Sequence, residues 1–157
     1  MISFMDTTCW LNEEEMRIWR AFIEVRGRVT TELEQSLKQN AGMTLDDYEV
    51  LVLLSEAHEQ RMRMTAMSES LVHSQSRLTQ RIDRLVKRGW VRREQCPEDR
   101  RGMLAVITSE GLAVIEAAAP AHVRDVRELL IDLIEPSERA VVAEVLERVA
   151  ASARQRS

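Results

Sequence analysis

Arg77, Arg81, Arg84 and Arg88 recur at intervals of four, three and four residues in QSRLTQRIDRLVKRG, a spacing that stacks four guanidinium groups along one flank of a helix. Guanidinium keeps its charge at neutral pH and offers a planar fork of donors, which suits phosphate oxygens and base edges rather than acid–base catalysis. A second pair, Arg100 and Arg101, stands in CPEDRRG between two stretches rich in β-branched and apolar residues. Arginines at the end of a hairpin suit a narrow, electronegative groove.

The charge is regional. The chain of 157 residues has a net charge of -4, yet Arg61 to Arg101 holds 11 Lys/Arg against 5 Asp/Glu, so the remainder carries 11 against 21. A basic segment framed by acidic ones implies a polyanion-binding module on a scaffold that polyanions do not attract. Chemistry of other kinds finds no support. Cys9 and Cys96 lie far apart and form no CxxC; His58, His73 and His122 accompany no nucleophile motif; and no GxxxxGK[ST] or GxGxxG loop is present to cradle phosphates. We expect no enzyme activity, no metal and no cofactor. With 45% apolar residues, no apolar run long enough for a membrane span and no signal-like start, the chain is expected to be a globular cytoplasmic protein without membrane contact.

These arginines need elements to hold them. Glu13 to Lys38 has the apolar spacing of a long helix, with Trp19, Phe22, Val29, Leu33 and Leu37 near one face. A second helix runs to about Ala57 from Thr44, which forms a capping box with Asp47. HEQRMRM reads as a link, TAMSESLVHS as a short helix capped by Thr65, and QSRLTQRIDRLVKRG as a longer one capped by Ser74 and ended by Gly89. WVRREQ and MLAVIT then make a β-hairpin. Thr108 caps a long helix whose seam includes Leu112, Ile115, Ala119, His122, Val126, Leu129 and Leu133, with a kink expected at Pro120. The last helix is expected to start at Pro136 and to place Val142, Val145 and Val149 on one side.

A short helix, a turn, a longer helix and a hairpin spell a winged helix-turn-helix, and these pieces coincide with the basic segment. Leu78, Ile82 and Leu85 would face inward, leaving Gln75, Ser76, Thr79, Gln80 and Lys87 to read base edges in a major groove, with Arg77, Arg81 and Arg84 on phosphates. The helix start near Ser74 would favour a phosphate. Arg100 and Arg101 become groove probes, and Asp99 is expected to orient the side chain of Arg101.

TLDDYEVLVLLSEA, MTAMSESLVHSQSRLTQRIDRLVKRGWVRR and CPEDRRGMLAVITSEG resemble the MarR family of bacterial transcriptional regulators, a likeness running from about Glu13 to Val149. Departures are small: Met67-Ser68 replace a common Leu-Ala, Ile107 a Leu, and Gly102 a small Ala or Ser. The resemblance implies a mainly α fold with a small β-hairpin wing. Residues 1–40 would form an N-terminal dimerisation helix, 41–108 the winged helix-turn-helix, and 109–157 the C-terminal dimerisation helices. It also implies a homodimer whose recognition helices, about 34 Å apart, meet successive major grooves of double-stranded DNA at a pseudo-palindrome. Apolar seams on the first and last helices point the same way.

The resemblance further implies repression relieved by a small aromatic or phenolic effector bound between the dimer helices and the winged domain. Trp10, Trp19, Phe22, Arg26, Tyr48 and His73 combine aromatic walls with counter-charges for a carboxylate or phenolate and are the candidates for that cleft. Two alternatives are a redox-sensing repressor acting through Cys9 and a dimeric interaction protein that does not bind DNA.

Overall fold

Asn12 precedes three glutamates, and this sequence starts the longest helix. The Asn12 side chain accepts from the Glu15 backbone N–H at 2.9 Å while Glu15 Oε2 accepts from the Asn12 N–H at 2.8 Å, a closed capping box. In this computed structural model, which describes residues 8–71, 75–97 and 99–155, α1 runs from Glu13 to Ala41. Gly42 ends it with φ 61°, a left-handed conformation that favours glycine.

Five further helices and three strands follow: α2 (Leu45–Glu56), β1 (Arg61–Arg63), α3 (Met64–Ser70), α4 (Gln75–Lys87), β2 (Val91–Cys96), β3 (Asp99–Ile107), α5 (Ser109–Leu129) and α6 (Arg139–Arg154). The strands form one antiparallel sheet in the order β1-β3-β2. Thr44 caps α2 by accepting from the Asp47 N–H at 3.1 Å. The Asp47 carboxylate meets Arg84 at 3.3 Å, so only the forward half of the expected box is formed as drawn from the sequence.

Three expectations about boundaries change. HEQRMRM is not a plain link, because Arg61–Arg63 pair with Val106, Ala105 and Leu104 as the third strand. Thr65 does not cap α3, which already begins at Met64 behind Arg63 without a side-chain cap. Pro136 sits in a turn before α6, whose N-cap is Glu138, instead of at the helix's first position. Thr108 does cap α5, accepting from the Gly111 N–H at 3.1 Å. Pro120 lies inside α5, which continues through it to Leu129; a 3-10 turn at Ile131–Leu133 then replaces the last helical turn expected from the seam. Ser74, expected to cap α4, lies outside the described residues.

The core gathers where α2, α3, α4 and the sheet meet α5. Val50, Leu51, Leu54, Met67, Ile82 and Leu85 are completely buried, each stabilising the fold by roughly 1.5–3 kcal/mol relative to exposure. Strand β3 is buried along Leu104 to Ile107 because both of its faces are covered: Ala105 and Ile107 join the main core, whereas Leu104 and Val106 pack with Cys96 on the other side. Gly111 seats α5 on this unit. A Cβ there would stand 2.2 Å from the Trp90 carbonyl oxygen, so only glycine allows the first turn of α5 to lie against the wing base.

Candidate nucleic-acid interface

Helix α4 shows the period expected of a half-buried helix. Leu78, Ile82 and Leu85 face the core, while Gln75, Ser76, Arg77, Thr79 and Gln80 lie exposed along its first two turns and Lys87 near its end. Its close is set by Gly89 at φ 75°, whose N–H reaches the Val86 carbonyl at 3.0 Å while Trp90 N–H reaches that of Leu85 at 3.0 Å. Both bonds of a Schellman motif are made, and the chain turns directly into β2. The second turn of α4 is held to the wing base, with Arg93 of β2 donating to the Thr79 carbonyl at 3.3 Å.

The four stacked arginines do not act alike. Arg81 is 7% exposed, and its guanidinium meets the Asp46 carboxylate of α2 and lies 4.0 Å from buried Asp47. We therefore remove Arg81 from the groove-facing set, since turning it outward would strand a buried carboxylate. Arg84 reaches the same Asp47 and remains half-exposed. Arg88 donates to the Gly42 carbonyl at 2.9 Å and lies 3.8 Å from the centroid of the Trp90 ring, a cation–π contact. What reads in sequence as a phosphate rail is thus, over three of its four members, a set of braces between α4 and the α1–α2 corner. Arg77, nearest the helix start, is exposed.

Other cations are also engaged within the fold. Arg93 makes a 2.6 Å ion pair with Asp83 and so fastens the wing to α4, a contact that sequence spacing did not reveal. Arg92 pairs with Glu94 across the exposed sheet face at 2.6 Å. The hairpin pairs Gln95 with Met103 and Cys96 with Asp99, with a bulge between Gln95 and Cys96. Arg100 and Arg101 therefore belong to the start of β3, one and two residues past the tip pair; their side chains are outside the described part. Asp99 lies 3.9 Å from Arg63 of β1, a partner that the sequence reading did not anticipate.

Of the six residues expected to line an effector cleft, the five described ones do not gather at one place within the chain. Trp19 and Phe22 stack at 6.1 Å on an exposed face of α1, Trp10 is 82% exposed, Arg26 is exposed on α1, and His73 lies outside the described residues. Among the described residues of that set, Tyr48 lines a cavity of about 500 Å³ between α1, α2 and α5. Its ring lies 4.4 Å from that of His122, a residue of the α5 seam. Leu33, Leu45, Val52 and Leu53 supply apolar walls. Cys9 is exposed and Cys96 buried.

A sequence model of the MarR family matches residues 43–103. AbsC, a MarR family transcriptional regulator from Streptomyces coelicolor, superposes with a TM-score of 0.89 at 40% identity over 94% of this chain and 99% of its own. This chain belongs to the MarR family. Sco3205, another MarR family regulator of the same organism and solved in complex with DNA, superposes with a TM-score of 0.89 at 38% identity, covering 92% of this chain and 91% of that one. The transcriptional regulator PecS of Dickeya dadantii is 39% identical over 61 residues, and that match spans 39% of this chain but only 37% of PecS. The mainly α architecture with a small three-stranded sheet is therefore that of the MarR winged-helix fold.

Proposed function

We propose that this MarR protein is a homodimeric, sequence-specific repressor that binds a pseudo-palindromic promoter site and leaves it when a small aromatic ligand binds. The carrying observation is the exposed polar face of α4, Gln75, Ser76, Arg77, Thr79 and Gln80, held beside the wing in the one basic segment of an acidic chain. Amide and hydroxyl side chains on that face suit base edges; Arg77 and Lys87 suit the flanking phosphates; Arg100 and Arg101 would enter a neighbouring minor groove. Asp99, tied towards Arg63, would hold the wing start in place, a positioning role. The likeness to Sco3205, itself solved with DNA, supports the reading.

Dimerisation is supported by the unpartnered apolar faces of α1 and α6, where Trp19, Phe22, Val145 and Val149 are 51%, 44%, 41% and 54% exposed. Such a patch is what an isologous interface covers. For the ligand response, α2 offers a route: Tyr48 on it faces the cavity, and Asp46 and Asp47 at its start hold Arg81 and Arg84 of α4. A ligand that binds unequally to two settings of α2 would shift the spacing of the recognition helices.

Binding to sequences selected from random duplexes tests the proposal. Affinity should fall with log salt at about -0.9 per phosphate contacted, and Arg101→Ala should weaken binding by about 1–3 kcal/mol. A flat salt response with no selected consensus refutes it.

A further inference from the structure

Arg88, the last of the four stacked arginines, joins three elements at one point. Its guanidinium donates to the Gly42 carbonyl at 2.9 Å, and Gly42 is the residue that ends α1. The same group lies over the Trp90 ring, 3.8 Å from its centroid, at the entry to β2. Trp90 is itself fixed. Its N–H donates to the Leu85 carbonyl near the end of α4, and its own carbonyl accepts from the N–H of Thr108, the cap of α5, both at 3.0 Å. One side chain therefore ties the carboxyl end of α1 to the base of the wing.

The chemistry of this joint suits arginine. The carboxyl end of a helix carries partial negative charge that attracts a cation, and a guanidinium can donate in its plane while its face meets an aromatic ring. Lysine keeps the charge and a donor but has no planar face. Arg88 is exposed, so the joint adds little to stability. Its leverage is geometric. Gln75 stands at the far end of α4, a helix of 13 residues, and so lies about 20 Å from the joint at 1.5 Å per residue. Tilting the winged unit by about 10° against α1 moves Gln75 by about 3.4 Å, the rise of one base pair.

We propose that Arg88 is a positioning residue for DNA recognition: by holding the end of α1 against Trp90 it fixes the tilt of the winged unit, and with it the half-site spacing that the dimer accepts, without touching DNA. The assignment rests on the dimeric DNA-binding reading above and deepens it, because it names what sets the separation of the two recognition helices. Arg88 and Lys87 are neighbours in sequence with different tasks, one on the fold and one on the phosphates.

The test uses the intact protein and duplexes in which the selected half-sites are moved one base pair closer or further apart, with affinity measured over a range of salt. Wild type should prefer one spacing. Arg88→Gln should weaken binding at that spacing about five-fold, the scale of one exposed cation–π contact, leave the shifted sites nearly as they were, and keep the salt slope. Arg88→Lys should recover part of the lost discrimination. Thermal melts should show both variants folded, since the side chain is exposed. A salt slope reduced by about 1 with the spacing preference intact makes Arg88 a phosphate contact and overturns the assignment. An equal loss at every spacing, or no change at any, overturns it too and leaves the DNA-binding reading standing. Wild-type protein without any spacing preference overturns the dimeric reading, and the assignment with it.

Discussion

The winged unit and the helical arms use apolar residues in opposite ways. Leu51, Leu54, Ile82 and Leu85 are covered completely by neighbours in the same chain, whereas α6 has no buried residue among those described and Trp19 on α1 is half-exposed. A core closed within one chain can hold the reading head rigid by itself; faces left open at the ends make the arms stable only against another surface. The winged unit and the helical arms are thus stabilised by different contacts and should fail separately.

The largest separation is expected from substitutions in each region. Leu51→Ala should lower the unfolding free energy by about 2–5 kcal/mol in urea titrations, because the site is fully packed. Trp19→Glu combined with Val145→Glu should instead give a folded monomer in sedimentation experiments, with DNA binding weaker on the order of 100-fold because two heads no longer act together. A dimer that survives the double change would erase the contrast between the regions.

Within the reading head the same comparison can be sharpened on α4. Arg81→Ala should cost about 2 kcal/mol of stability, since it leaves Asp47 buried with less compensation, and should leave the salt slope of DNA binding as it was. Lys87→Ala, at an exposed position, should leave stability within about 0.5 kcal/mol yet reduce that slope by about 1. Exchanged outcomes would mean that the inward and outward arginine and lysine roles have been assigned the wrong way round. The smallest effect concerns pH. His122 has a lowered pKa from burial, so the folded state takes up its proton less readily than the unfolded chain; stability should be full above pH 6.5 and decline as pH falls below it. His122→Gln should flatten that part of a stability profile measured by thermal melts.

Much of this organisation is legible in the amino-acid sequence, and the exceptions have physical reasons. The inward face of α4 follows from the spacing of Leu78, Ile82 and Leu85, and the hairpin from β-branched runs around a Pro- and Gly-containing link. Strand β1 was hidden because Arg-Met-Arg is too short to show alternation; it is a strand only because β3 offers it an edge. The arginine flank was legible as a stripe but not in its role. Helical periodicity states which residues share a side, while the partners of Arg81 and Arg84 are acids 35 and 37 positions earlier, brought close by the packing of α2. The excess of the basic segment is partly cancelled by these two acids from outside it, while Arg93 and Arg63 pair with Asp83 and Asp99 inside it. The effector candidates are gathered by residue type, which carries no distance information, so the contact of Tyr48 with His122 could not be read from it.

The unequal lengths of the strands set how the wing can deform. Strand β1 reaches only Arg63 opposite Leu104, so the sheet is three-stranded at its base and a two-stranded ribbon from Met103 outwards. Ribbons of two strands twist more readily than wider sheets. Bending imposed by a narrow or a wide groove would therefore be absorbed in the outer ribbon and die away before reaching the first turn of α3. Sites of differing width can then be accommodated by one and the same helical reader, without any adjustment of its angle.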